Sequence, residues 1–320
     1  MAAKDLGRSA ERPSEFPGAA WKDILWRVWS EVNADRVTLI AGGVTFYLLL
    51  ALFPALAAFV SLYGFVADPK TIADHISYLG GLLPAAGLDI IEAQLDSLLA
   101  EGDQALGIGF LVGLALALWS ANNGIKALFD AMNIAYEETE KRSFVMLNLF
   151  SAAFTLGALL IGICLLLAVG AVPALLALVH LERWTETLIA IGRWPLLIAA
   201  IWLGISLIYL YGPSRTHAKW RWLNWGAGIA TVVWIAASAA FSFYLQNFAD
   251  YNATYGSLGA VIGLMMWTWI SVIVLIVGAE INAEMERQTA RDSTVGPPKP
   301  LGERGAVVAD TVATSRRSSE

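Results

Sequence analysis

Apolar residues fall into six long runs separated by polar connections. Residues 37–66 read VTLIAGGVTFYLLLALFPALAAFVSLYGFV, without one charge. A bilayer core of about 30 Å needs only about 20 apolar helical residues, so this run is long enough to span. Comparable runs follow at 106–128, 147–179, 188–211, 223–248 and 256–283. The pattern predicts an all-α polytopic membrane protein, a bundle of six transmembrane helices. Pro54 lies inside the first run, where a missing backbone donor predicts a kink, and it is a hinge candidate. Pro173 predicts a separate short helix at the end of the third run. Pro195 suits a first helical turn, which predicts that the fourth span begins near Arg193.

Two further segments have one apolar face. In WKDILWRVWSEVNADR, residues 21–36, Trp21, Ile24, Leu25, Val28, Trp29 and Val32 share a helical face. This predicts an interfacial N-terminal helix with tryptophans at headgroup level; the alternative is a helix packed on the bundle. In the connection 67–105, Leu88, Ile91, Leu95, Leu98 and Leu99 recur at helical spacing, with Asp89, Glu92 and Asp96 facing away. An outer amphipathic helix is expected there, starting near Pro84. Residues 1–20 and 284–320 are polar. They are expected to be disordered, because neither can bury enough apolar surface to fold alone. The transmembrane domain then covers 37–283, after the interfacial helix at 21–36.

Composition sharpens this picture. The 320 residues are 57% hydrophobic and 15% charged, against about 25% charged in a soluble domain. The formal net charge of −6 repels nucleic acid as a whole-molecule average. With six spans, 18 of the 21 lysines and arginines fall on one side, which predicts that both termini are cytoplasmic. The first 20 residues have no apolar signal-peptide core, so the first span is expected to act as an uncleaved insertion signal. Cys164 is the only cysteine, which excludes an intramolecular disulfide.

Candidate chemistry is sparse. On the second run, Asn122, Lys126, Asp130 and Asn133 share one helical face, bordered by Asn123. Polar groups at membrane depth face a bundle interior or a water-filled cavity. They form either a cytoplasm-facing substrate path with a Lys126–Asp130 charge pair or hydrogen-bonded links between helices. Glu280 and Glu284 share a face near the end of the sixth run, with Arg287 three residues on. Glu280 is expected either to pair with a base such as Lys126 or Arg36 or to titrate. His75, His180 and His217 lie far apart in the sequence, and no zinc-protease, phosphate-loop or nucleophile-elbow motif occurs. No cofactor or metal is expected, and the expectation is a protein that is not an enzyme.

Four stretches taken together resemble one family: AGGVTFYLLLALFPALAAFVSLYG, LALWSANNGIKALFDAMNIAYEE, YGPSR and YNATYGSLGAVIGLMMWTWISVIVLIVGAEINAE. They are similar to the YihY/BrkB membrane proteins of bacteria, over residues 21–290. The resemblance implies a six-span protein of the bacterial inner membrane. Some members of that family were long labelled ribonuclease BN, but the residues here do not support a nuclease. RNA would need a basic groove outside the membrane. The leading expectation is a transporter or lipid translocator supporting the cell envelope, with Asn122, Asn123, Lys126, Asp130 and Glu280 on its path. A non-transporting scaffold is the alternative, and an intramembrane enzyme the third reading. Membrane lipids are the expected partners. A small-molecule or lipid substrate and a homo-oligomer stay open.

Overall fold

The computed structural model describes residues 6–66, 103–166, 183–247 and 258–313. Eight helices occur among them: α1 Gly18–Ala34, α2 Val37–Val66, α3 Asp103–Ala135, α4 Phe144–Leu166, α5 Arg183–Tyr211, α6 Trp220–Asn247, α7 Gly259–Gln288 and the short α8 Val307–Asp310. A 3-10 turn, Pro13–Glu15, precedes them. An isolated antiparallel β-bridge joins Ala218 and Thr294. The outer amphipathic helix and the separate helix at Pro173 both lie outside the described residues.

Helices α2 to α7 fall on the six apolar runs. Four of them contain windows long and apolar enough to cross a membrane: Phe144–Ile161, Ile191–Tyr211, Trp220–Leu245 and Val261–Gln288. A fifth span results if α1 and α2, broken at Asp35 and Arg36, count as one. These helices present their apolar side chains outward, with Leu160 63%, Leu196 72% and Val232 68% exposed. In water such a surface would drive association, whereas in lipid it is the ground state. Helix α5 starts at Arg183 and carries Pro195 inside it, though its apolar window begins at Ile191, close to the expected start. Helix α2 runs unbroken through Pro54.

The chain divides into two compact units, one made of 1–37, 128–235 and 273–320, the other of 38–127 and 236–272. In the first, Ala20, Ile24 and Val28 of α1 pack with Phe16, Trp222, Ile281 and Met285. The single apolar stripe expected on α1 is therefore divided. One part serves this core, and Leu25 and Trp29 stay exposed. Helices α6 and α7 approach closely at Gly226 and Gly278, where an added Cβ would collide with Asn282 and with the Tyr209 hydroxyl respectively. The Gly226 N–H donates to Asn282 Oδ1 at 2.9 Å, and the Tyr209 hydroxyl donates to the Leu275 carbonyl at 2.7 Å. Gly226→Val is expected to lower the melting temperature of the detergent-purified protein sharply. Gly228→Val, where a Cβ meets nothing within 4 Å, should barely change it. Equal melting of the two variants would show that this contact contributes little.

The second unit is held by similar devices. A Cβ on Gly124 would meet the Leu48 side chain at 2.8 Å, so α2 and α3 approach there without a side chain between them. Trp267 Nε1 donates to Ser238 Oγ at 3.1 Å, and Trp269 Nε1 donates to the Thr38 carbonyl at 2.9 Å.

The polar ends correct the expectation of disorder at 1–20 and 284–320, for residues 6–20 and 284–313. Neither end builds its own core; each borrows partners from the first unit. Gln288 Nε2 donates to the Leu6 carbonyl at 2.7 Å, and the Ala290 N–H to the Arg8 carbonyl at 2.8 Å. Beyond α7, the Lys219 N–H donates to the Ser293 carbonyl at 2.8 Å and the Thr216 N–H to the Gly305 carbonyl at 3.0 Å. Arg304, 4% exposed, donates to the carbonyls of Ala290 and Ala309 at 2.8 and 2.6 Å. Composition predicted that the tail cannot fold alone, which is a different statement from its being unfolded when a partner surface adjoins it.

Candidate functional site

The inner polar cluster of the first unit grows from two helix ends. Helix α1 stops where the Asp35 N–H donates to the Glu31 carbonyl at 2.8 Å and Arg36 turns to φ +52°. Helix α3 stops where the Glu138 N–H reaches back to the Asn133 carbonyl at 2.7 Å, with Glu137 at φ +51°. Both Arg36 and Glu137 hold a left-handed conformation that usually favours glycine. These two turns bring Glu31, Asp35 and Glu137 to the last two turns of α7.

There Glu280, Glu284 and Glu286 are each 1% exposed. Glu284 accepts a close bond from Arg27 Nε, and Arg27 Nη2 also donates to Gln288 Oε1 at 2.7 Å. Arg27 thus does not lie on a solvated face of α1. Arg287 joins Glu284 at 3.0 Å and pairs with Glu137. Glu286 and Arg215 form a two-pronged pair at 2.7 and 3.1 Å, and the guanidinium lies 5.0 Å from the Tyr136 ring centre.

Glu280 stands apart from this pairing. No base forms an ion pair with it among the described pairs, and its charged neighbours Asp35, Glu284 and Glu31 are acids. Its Oε1 is buried without a hydrogen-bond partner. Spacing marks Glu280 and Glu284 in the sequence, whereas Asp35, Glu31 and Glu137 carry no signal there beyond acidity next to a helix stop.

The polar stripe of α3 is divided. Lys126 Nζ contacts Asn123 Oδ1 at 3.4 Å; Asp130 is exposed, and no ion pair joins it to Lys126 among the described pairs. Asn122 Oδ1 is buried without a partner. Asn133 is a structural link: its Nδ2 donates to Glu140 Oε2 at 3.1 Å and its Oδ1 accepts from the Ser214 N–H at 2.7 Å.

Glu140 anchors the connection between α3 and α4. Burial would raise its carboxyl, but the Arg142 guanidinium and N–H, with Asn133, bring it down to about 2 from an ordinary 4.5. The folded state therefore binds the proton more weakly than the unfolded chain. The stabilisation is complete above about 4.5 and is lost as pH falls through about 2. Unfolding of wild type and Glu140→Gln should differ by a constant amount at neutral pH, with the gap closing over that acidic range. A gap independent of pH would show that the ionised form is not favoured by folding.

Long helices with exposed apolar side chains define a multi-pass α-helical membrane protein. The chain belongs to the virulence factor BrkB family, whose model matches residues 28–301. It is 32% identical over 257 residues to a protein of Bacillus subtilis (strain 168) named as ribonuclease-like, YfkH, covering 76% of this chain and 88% of that one. It is 28% identical over 270 residues to a UPF0761 membrane protein of Aeromonas salmonicida (strain A449), covering 80% and 86%. A UPF0761 membrane protein of Cronobacter sakazakii (strain ATCC BAA-894) is 26% identical over 290 residues, covering 86% and 93%. No solved structure matches.

Proposed function

We propose that this chain is a six-span transporter or lipid translocator of the bacterial cytoplasmic membrane, with both termini in the cytoplasm, serving the cell envelope. The observation that carries the reading is Glu280. It is a carboxyl in the last long apolar helix, 1% exposed, with one oxygen lacking a partner. An ionisable group on a membrane helix is costly, and a function is its usual reason. Matched pairs at Glu284 and Glu286 account for the neighbouring acids, and Glu280 has no such account. Asn122, Asn123, Lys126 and Asp130 are the further path candidates, and Pro54, inside the unbroken α2, is the hinge candidate. The ribonuclease term in the name of YfkH describes that protein and is not carried over.

The test is mass spectrometry of lipid and solute that co-purify with wild type, Glu280→Gln and the Asn122→Leu, Lys126→Met double variant. A species lost from the variants at unchanged melting temperature supports the reading. An identical complement in all three would favour a non-transporting scaffold, the reading that the ordered tail supports. Single cysteines introduced after removal of Cys164 test the topology. Reagent added outside intact cells should label position 97 or 250 and spare 143; labelling at 143 would overturn the assignment.

A further inference from the structure

Helix α1 has flanks with different neighbours, all within the first unit. Its core line is Ala20, Ile24 and Val28, packed with Trp222 of α6 and with Ile281 and Met285 of α7. At about 3.6 residues per turn, Arg27 lies to one side of that line, and it bonds Glu284 and Gln288 at the end of α7. Trp21, Leu25 and Trp29 recur every fourth residue on the other side. Leu25 is 54% exposed and Trp29 70%. The outermost line, Lys22, Trp26 and Ser30, is exposed and faces away from the core.

The apolar flank continues a surface that faces lipid. The Trp21 and Trp225 rings lie 6.0 Å apart, centre to centre, which sets the flank against the first turns of α6. Trp225 is 43% exposed. Val232, about two turns further along the same face of α6, is 68% exposed. The Trp220–Leu245 window of α6 is long and apolar enough to cross a membrane, and Trp225 lies about 8 Å inside its start. Ile281 and Met285 belong to the last turns of α7, so α1 crosses one end of two long apolar helices. Leu25 and Trp29 thus extend the lipid-facing side of α6 at the level where a span ends. Indole rings are favoured at that depth, and a helix with one apolar and one polar flank lies in the interface plane.

We propose that lipid of the adjoining leaflet covers the Trp21, Leu25 and Trp29 flank of α1, so that this helix lies in the membrane surface. The occupant is lipid rather than a second copy of the chain because the flank is continuous with the exposed apolar side of α6. Exposed Lys22 borders it and supplies a cation at headgroup level. One helix then has lipid on one flank and, through Arg27, the Glu284 carboxylate on the other. The surface is defined whether or not the chain transports a substrate.

The experiment uses the full chain carrying Cys164→Ala, reconstituted in vesicles of phosphatidylethanolamine and phosphatidylglycerol. A bimane fluorophore is attached in turn at Leu25→Cys, Trp29→Cys and Ser30→Cys. The quenchers are lipid with a nitroxide on its acyl chain and iodide on both sides of the vesicle. Labels at 25 and 29 should emit at shorter wavelength and be quenched several-fold more by the nitroxide lipid than by iodide. The label at 30 should show the reverse. Iodide quenching at 25 and 29 without an effect of the nitroxide lipid would overturn the proposal. Shielding of both positions from both quenchers would overturn it as well, and would show that protein covers the flank. All three positions are exposed, so the variants should fold, and melting equal to that of the Cys164→Ala parent confirms it. Positions 25 and 29 read the same flank independently.

Discussion

Glu286→Ala should destabilise the purified protein by about 3–5 kcal/mol, the loss typical of removing one partner from a buried ion pair. The pair with Arg215 is 2% and 0% exposed at its two side chains. Glu286 also accepts a hydrogen bond from Ser293 Oγ at 2.5 Å, so one carboxylate ties the end of α7 to the connection after α5 and to the tail. Its removal leaves a buried guanidinium without its bonded carboxylate, beside the Tyr136 ring and the Thr216 carbonyl and with Glu138 as a further charged neighbour. An uncompensated charge is worse than no charge. Arg215→Met combined with Glu286→Leu should therefore recover much of the loss. The measurement is reversible unfolding in mixed detergent. If the double variant is as unstable as Glu286→Ala, packing rather than charge governs the site.

Arg304→Ala should release the tail. The Arg304 side chain donates to the carbonyls of Lys299, Arg291, Ala290 and Ala309, at 3.2, 3.3, 2.8 and 2.6 Å. Hydrogen bonds from a charged donor contribute about 1.5–3 kcal/mol each, and the short helix α8 has too few residues to persist without them. Around this centre the Val307 N–H donates to Glu138 Oε1 at 2.7 Å, and the Ala313 N–H donates to the Arg287 carbonyl at 2.9 Å. The expected outcome is rapid amide hydrogen exchange and protease cleavage within 290–313 in the variant. Wild type should be protected there, and the melting of the long helices should change much less. Equal protection in the two proteins would show that the backbone pairing at 216–219 holds the tail without Arg304. Because Ala313 bonds Arg287 and Arg287 bonds Glu284, the same release is expected to alter the polar cluster at the end of α7.

The long helices were legible because a lipid-facing helix needs only length and apolarity, and both are local properties of a sequence. Helices α2 to α7 lie where the six apolar runs predicted them, and α1 lies where its tryptophan-rich face did. Glu280 was also legible, since an acid on an apolar helix is unusual wherever it points. Its surroundings were not: charge alone points to Lys126 or Arg36, whereas its charged neighbours are the acids Asp35, Glu284 and Glu31. The tail shows the same limit. Its composition points to no independent core, and its order depends on backbone groups at 216–219, on Glu138 and on Arg287. What the sequence by itself determined is the helical, membrane-embedded class, because hydropathy and helical period act within one segment. What only the tertiary structure decided is which acid meets which base, and which polar end is held, because those contacts join residues as distant as Arg27 and Glu284 and depend on how the helix ends turn.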